Sequence, residues 1–299
     1  MSALIYYIAL PFIYLISILP FWILYRVSDI LFILVYYVIG YRRKVVLDNL
    51  RNSFPEKSEA EIQQISKRFF QYFCDLILET IKTLTISRET VKKRLAFEDT
   101  ALLTQYCEKK QSIILILGHW GNWELAGARF GVEPGIHQLY VIYHPLKNKY
   151  FDKLVYHMRT RLGNKLYAMK KTLRGMVGNR KEVTATAFIA DQTPSPDNAF
   201  WLNFLNQDTP IFMGTEKIAQ KFNYPVVYMS VRRVKRGYYE IESELLFDNP
   251  KETSEHEISI RHTARLEEDI RSQPELWLWT HRRWKHKRQQ YKHDQQPTH

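Results

Sequence analysis

The stretch that decides the fold is Ile113-Ile114-Leu115-Ile116-Leu117 followed by Gly118-His119-Trp120-Gly121-Asn122-Trp123-Glu124-Leu125-Ala126-Gly127. The first five residues are an uninterrupted apolar run, the pattern of a strand buried on both faces. Two glycines and an asparagine then mark a turn, and a helical segment follows. A histidine and a carboxylate therefore lie five positions apart at a strand-to-helix junction. On one continuous helix they would diverge by roughly 140°. With His119 at the strand end and Glu124 in the first helical turn, they can converge. An imidazole held by a carboxylate is a simple biological base for a hydroxyl. Strand ends beside flexible turns are where α/β folds place reactive side chains.

Outward from this junction the pattern alternates. Strands are expected over 112–117, 138–143, 184–190, 225–232 and 238–245, and helices over 122–130, 147–162, 170–179, 212–222 and 254–271. The reading is an α/β fold with a mixed, mainly parallel central sheet and flanking helices. Arg236-Gly237 before Tyr238-Tyr239 reads as a hairpin, which supplies the antiparallel element. From Lys44 to Leu95 the chain is helical. Ser58 with Glu61 forms a capping-box pattern opening a helix towards Phe73, and a further helix is expected around 75–82.

The first twenty-five residues contain no Asp, Glu, Lys, Arg or His. As a helix rising about 1.5 Å per residue they would cross a hydrocarbon core with some tilt. Pro11 and Pro20 are tolerable in that setting. A cleaved signal peptide would carry an early basic residue and end in small residues, and this segment does neither. A second apolar stretch, 30–40, is short for a span and reads as an interfacial or docking helix. Arg42, Arg43 and Lys44 follow it, which places the rest of the chain on the cytoplasmic side. The expected organisation is a transmembrane anchor (1–25), a helical membrane-proximal region (26–96), an α/β domain (97–288) and a polar tail (289–299).

The formal net charge of +12 points to an anionic neighbour such as a membrane surface, phosphorylated substrates or nucleic acid. Residues 147–181 hold eleven Lys and Arg against the single acid Asp152. Within them, Arg159 and Arg161 are two apart and cannot share a helix face. Either the helix ends there, as Gly163 allows, or one arginine alone enters the site. Cations also suit a helix C-terminus for purely structural reasons. Asp191-Gln192-Thr193-Pro194 closes another candidate strand. Its carboxylate could orient a polar substrate, pair with an arginine, or simply open a turn. Near the end of the chain, Trp277, Trp279 and Trp284 alternate with His281, Arg282, Arg283 and Lys285. That pattern suits a single-strand nucleic-acid surface or a membrane-interface belt, and the apolar N-terminus favours the second.

Cys74 and Cys107 lie in no motif and read as reduced thiols. No zinc, P-loop or nucleophile-elbow pattern occurs, so neither a metal centre nor a covalent serine or cysteine intermediate has sequence support.

Taken in order, these segments resemble the bacterial lipid A biosynthesis late acyltransferases (lauroyl and myristoyl type) of the lysophospholipid acyltransferase superfamily. The resemblance rests on the apolar N-terminus, Tyr41-Arg42-Arg43-Lys44 leading to Asn49-Leu50, and Gly118 to Glu124. It continues through Tyr143-His144-Pro145 with Asn148, Arg159-Thr160-Arg161, Asp191-Gln192, Met213-Gly214-Thr215, and Pro274-Glu275 with Trp279 to Trp284. It implies a glycerolphosphate-acyltransferase-like fold and a membrane-bound enzyme. The reaction implied moves an acyl chain from acyl carrier protein or a CoA thioester to a hydroxyl of a phosphorylated glycolipid, with no cofactor or metal. Its H-x4-D/E motif falls on His119 and Glu124 as the catalytic pair. Arg159, Arg161, Asp191, Gln192, Asn122 and His144 are expected to meet substrate, with His144 standing where many members carry arginine. The implied location is the bacterial inner membrane, anchored by a single pass, with no nucleic-acid partner. The same chemistry on a glycerophospholipid, lysophospholipid or aminolipid is the nearer alternative. A membrane-attached binder of nucleic acid or anionic lipid is the non-enzymatic one.

Overall fold

A computed structural model describes residues 2–196 and 199–288; the polar tail expected at 289–299 lies outside the described residues. The element order begins with α1 (Ser2–Ile18), α2 (Phe21–Ile33), α3 (Arg43–Ser53), α4 (Glu59–Lys82), α5 (Arg88–Arg94), β1 (Leu95–Phe97) and α6 (Ala101–Glu108). It continues with β2 (Ile113–Leu117), α7 (Trp123–Phe130), β3 (Gln138–Tyr143), α8 (Lys149–Thr160), β4 (Lys165–Ala168), α9 (Thr172–Gly178) and β5 (Thr184–Ile189). The last elements are β6 (Phe200–Phe204), β7 (Gln207–Ile211), α10 (Gly214–Phe222), β8 (Val226–Lys235), β9 (Tyr238–Phe247) and α11 (Glu257–Ser272).

The central sheet has seven strands in the order β1-β9-β8-β2-β5-β3-β4. All neighbours are parallel except the β8–β9 hairpin, so the mixed, mainly parallel sheet read from sequence is the one formed. β2 lies between β8 and β5, and every one of its residues is buried, as its unbroken apolar run requires. Apolar cores form on both faces of the sheet. The larger takes in α4, α7 and the indoles near the chain's end, and the smaller packs Tyr140, Tyr167, Met176 and Phe188 against α10.

The five expected strands all form, and three pieces of β structure join them. β1 and β4 are too short to show a period. The β6–β7 hairpin turns through Leu205 (φ +51°) and Asn206 (φ +61°), both left-handed. Such a turn favours Asn or Gly at its first position, and a buried leucine there conceals it. The capping box of α4 is present, with Ser58 Oγ accepting from Glu61 N–H and Glu61 accepting from Ser58 N–H. The two helices expected up to Phe73 and from Asp75 are one helix of 24 residues, since nothing between them breaks the turn.

The N-terminus departs from the expected single helix over 1–25. α1 stops at Ile18, and Pro20 takes an extended conformation (ψ 147°). The end of α1 is held from outside: Lys82 Nζ donates to the carbonyls of Ser17 (2.7 Å) and Leu19 (2.8 Å), and Thr85 Oγ1 donates to Ser17 (2.5 Å). A cation on the last carbonyls of a helix stabilises its termination. Among the described residues, the helix that is by length and composition apolar enough to cross a membrane is instead Phe21–Ile39, where α2 continues without a break into a wider π-type turn at Leu34–Ile39. It therefore absorbs the stretch that alone looked too short.

The aromatic belt expected near the end of the chain does not face outward. Trp277 and Trp279 are buried and cross at ring centroids 4.7 Å apart, and Phe204 and Phe54 pack on them. Burial of large rings in a core that needs filling outweighs the interfacial preference.

Candidate active site

β2 and β5 pair in register, Leu117 opposite Ile189. Two residues beyond those partners come His119 and Asp191. Side chains two apart on a strand share a face, so equal offsets past the ends of neighbouring parallel strands bring the two groups together. The pairing continues past the strand ends, with Ala190 N–H donating to Leu117 O (3.1 Å). His119 Nδ1 donates to Asp191 Oδ1 (2.6 Å), and the backbone N–H of His119 donates to Asp191 Oδ2 (2.8 Å). Trp277 Nε1 also donates to Oδ2 (2.8 Å). Burial alone would raise the Asp191 carboxyl, but the His119 imidazole and these donors hold it down at about 2. An ionised carboxylate only accepts, so Nδ1 carries a proton towards Asp191, and Nε2 is the ring nitrogen turned away from it. Gln192 Nε2 lies 3.3 Å from that Nε2, and the Trp123 ring stands edge-on to the imidazole at 4.9 Å.

Glu124, expected to hold the imidazole, instead accepts a two-pronged bond from Arg159: Nε to Oε2 at 3.0 Å, and Nη2 to Oε1. Burial would lower the Arg159 guanidinium, and the Glu124 carboxylate outweighs that and raises it. The arginine comes from α8 and the glutamate from the first turn of α7, 35 positions away. α8 ends at Thr160, and Arg159 alone of the two arginines reaches the site. Arg161 turns away and donates from Nη1 to the carbonyls of Thr83 (3.0 Å) and Ile86 (2.9 Å), closing the end of α4.

His119, Glu124, Arg159, Gln192 and His144 line one cavity of about 670 Å³, with Trp123, Val141, Met158, Phe188 and Ile218 among its apolar walls. Asp191 is buried behind His119 rather than on the wall. Asn122 is fully buried and caps α7, its Oδ1 accepting from Leu125 N–H (2.9 Å). His144 is exposed at the mouth, its Nδ1 donating to Pro145 O (3.0 Å). Trp120 is core, and Trp123 is wall.

A support layer under the junction carries no sequence signal. Asn122 Nδ2 donates to Glu79 Oε2 (2.6 Å), which also accepts from Tyr239 OH (2.7 Å), while Glu79 Oε1 accepts from Tyr25 OH (2.8 Å). Burial, with Asp75 nearby, pushes the Glu79 carboxyl up to about 7 against the pull of these three donors. Tyr72 OH donates to Gly121 O (2.5 Å). Gly121 is left-handed (φ +64°), and a Cβ there would lie 1.8 Å from Val231 O, so only glycine fits. Glu79 sits on α4 at a helix-core spacing, and nothing local distinguishes it from a solvated acid.

Among the described residues no cluster of His, Cys, Asp or Glu is arranged to hold a metal ion. Chemically, the cavity offers an imidazole fixed by a carboxylate, a guanidinium held by Glu124 on the same cavity wall, and greasy sides. That set suits deprotonation of a hydroxyl and stabilisation of negative charge beside an apolar chain.

A family model described as "Bacterial lipid A biosynthesis acyltransferase" matches residues 1–286. The chain is similar to the lipid A biosynthesis lauroyltransferase of Escherichia coli K12, 26% identical over 271 residues, covering 89% of this chain and 87% of that one. It is also similar to the lipid A biosynthesis palmitoleoyltransferase of the same strain, 22% identical over 82% of this chain and 79% of that one. A lipid A biosynthesis acyltransferase of Haemophilus influenzae is 20% identical over 77% of this chain and 72% of its own.

Proposed function

We propose that this chain, which belongs to the bacterial lipid A biosynthesis acyltransferase family, carries out acyl transfer with His119 as general base, Asp191 as its partner and Arg159 as the charge that faces the reaction. That the chain is a lipid A acyltransferase follows from its membership; the donor, the residue roles and the seating on the membrane are our reading. The observation that supports it is the His119 imidazole on the wall of the cavity, its Nδ1 fixed by a buried carboxylate at the end of the neighbouring strand.

The acceptor hydroxyl donates to Nε2 of His119 as its oxygen attacks the thioester carbonyl. Asp191 keeps the proton on Nδ1 and offsets the charge of the imidazolium that forms. The tetrahedral oxyanion, or an acceptor phosphate beside it, meets the guanidinium of Arg159, which Glu124 holds in place. The C–S bond then breaks, and the imidazolium returns its proton to the leaving sulfur. An ester and a free thiol result, with no cofactor or metal consumed. The acyl chain lies along the apolar walls.

The donor is the thioester of acyl carrier protein or of CoA, both acidic and both suited to a basic protein. The exposed apolar faces of α1 and Phe21–Ile39 hold the chain on the bacterial inner membrane, with both helices still packed on the catalytic portion through Tyr6, Tyr25, Lys82 and Thr85. Arg42, Arg43 and Lys44 meet the headgroups of the cytoplasmic face. The test is purified protein with each donor and an under-acylated lipid A precursor, read by mass spectrometry. One added acyl group per acceptor is expected. His119→Ala should slow the reaction by about 10²- to 10⁴-fold, and a near-normal rate in that variant would remove the general-base assignment.

A further inference from the structure

Leu146, Met169 and Phe212 line the cavity and are each between 44% and 51% exposed, so the mouth of the site is ringed by apolar side chains that face outward. The sheet explains their grouping. Tyr143 and Ala168 are paired at the ends of β3 and β4, and Leu146 and Met169 leave the sheet shortly after that pair. Beyond Met169 the exposed apolar positions continue at Leu173 and Val177, four apart, while Thr172 and Met176 turn inward. Within α9 a spacing of four puts Leu173 and Val177 on one side, and Met169 stands in the 3-10 turn just before the helix, so the three form an exposed apolar ridge. Exposed Lys170, Lys171 and Arg174 flank it, and exposed Lys147 and Lys149 flank Leu146. An apolar ridge edged by cations is the composition of a helix that lies in a lipid headgroup layer.

On the Leu146 side, the mouth also adjoins the apolar N-terminus. Tyr6 of α1 packs on Tyr150 (5.4 Å) and Phe151 (5.3 Å) at the start of α8, immediately after the Leu146 loop. Leu4, Ile5, Ile8 and Phe12 of α1 are exposed beside it. We infer that the Met169–Val177 ridge, with Leu146 and Phe212, is a second membrane-contacting surface that seats the cavity mouth in an anionic bilayer, so that a lipid acceptor enters sideways without leaving the membrane. This rests on the membrane-bound acyltransferase reading and adds to it a surface separate from the Phe21–Ile39 anchor.

The experiment uses the full chain with Cys74→Ala and Cys107→Ser, reconstituted into phosphatidylethanolamine–phosphatidylglycerol vesicles. Leu173→Cys carries an environment-sensitive fluorophore. Glu108→Cys, exposed at the opposite end of the strands, is the control. Quenching by a spin-labelled lipid is expected at 173 and not at 108. Equal quenching at both positions, or at neither, in a chain that floats with the vesicles overturns the second surface and leaves the anchor standing. A chain that does not float overturns both. A label at 173 that is shielded without lipid, in proportion to protein concentration, means that a second copy covers the ridge, and also overturns the proposal. Independently of the labels, Leu173→Asp with Val177→Asp should raise KM for vesicle-embedded acceptor by about tenfold, about 1.4 kcal/mol, with KM in detergent micelles unchanged. Equal effects in both settings count against the surface.

Discussion

Asp191 holds His119 at two points: Oδ1 accepts from the imidazole Nδ1–H at 2.6 Å, and Oδ2 accepts from the residue's own backbone N–H at 2.8 Å. One carboxylate thus fixes both the ring's tautomer and the strand end that carries it. Asp191→Asn puts an amide in that place, whose NH₂ can donate to Nδ1 and shift the imidazole proton to Nε2. With the lone pair removed from the cavity, kcat should fall by about 10²- to 10⁴-fold, with KM for either substrate moving far less. Steady-state kinetics on the purified variant measure both, and an unchanged kcat would count against the pair.

Glu124 and Arg159 should behave as one unit. Glu124→Ala and Arg159→Ala are each expected to lower kcat/KM by about 10²-fold or more, because one loses the charge and the other its fixed position. The double variant should be little worse than the poorer single one, giving a coupling of about 2.7 kcal/mol in a double-mutant cycle. Arg161→Ala is the contrast. It removes donors from the carbonyls of Thr83, a residue of the cavity wall, and Ile86, while the Arg161 side chain does not itself line the cavity. It should cost about 1–3 kcal/mol of stability and leave kcat near the parent value. Additive losses in the cycle would show that Glu124 acts separately from Arg159.

Glu79 makes stability depend on pH in the direction opposite to an ordinary paired carboxylate. Its folded value, pushed to about 7, lies above the unfolded 4.5, so the folded chain binds the extra proton between the two. The contribution is complete below the unfolded value and is lost as pH rises through 7, by about 3 kcal/mol. Glu79→Gln keeps an acceptor oxygen for Asn122 and Tyr239 and removes the titration. Thermal unfolding of the detergent-solubilised protein at about pH 5 and about pH 8 should show a smaller drop in Tm across that range for the variant. Parallel curves for the two proteins would contradict the assignment.

Gly121→Ala should prevent normal folding. It combines a left-handed backbone with a Cβ driven to 1.8 Å from the Val231 carbonyl. Gly135 is also left-handed (φ +78°) but has nothing within 4 Å, so Gly135→Ala should cost only about 1 kcal/mol. Yield and Tm of the two variants separate steric exclusion from backbone strain, and equal behaviour would mean that the contact with Val231 relaxes.

Much of the fold was legible because it is local. The run Ile113–Leu117 is a strand by composition, Arg236-Gly237 is a hairpin by its turn, and Ser58 with Glu61 is a helix start by its reciprocal bonds. The β6–β7 hairpin escaped because Leu205 occupies a left-handed position without the residue type that advertises one. The break after α1 was visible as Pro20, yet Pro11 lies inside α1 and does not stop it. The difference is made by Lys82 and Thr85, more than sixty positions away.

The site divides along the same line. His119 at a strand end, Glu124 in the following turn and Asp191 at the end of another strand were all readable as positions that chemistry uses. Which acid met which base was not. His119 could be assigned to the acid five residues on, but its partner is 72 residues away, because β5 rather than any other strand lies beside β2. Two equal offsets past strand ends carried that information, and they become a distance only once the strand order is known. Capping, turn chemistry and hydrophobic period act over a few residues and are written in the chain. Strand order is chosen by the burial of the whole sheet and the hand of its crossovers, and that choice gave the imidazole to Asp191 and left Glu124 to Arg159.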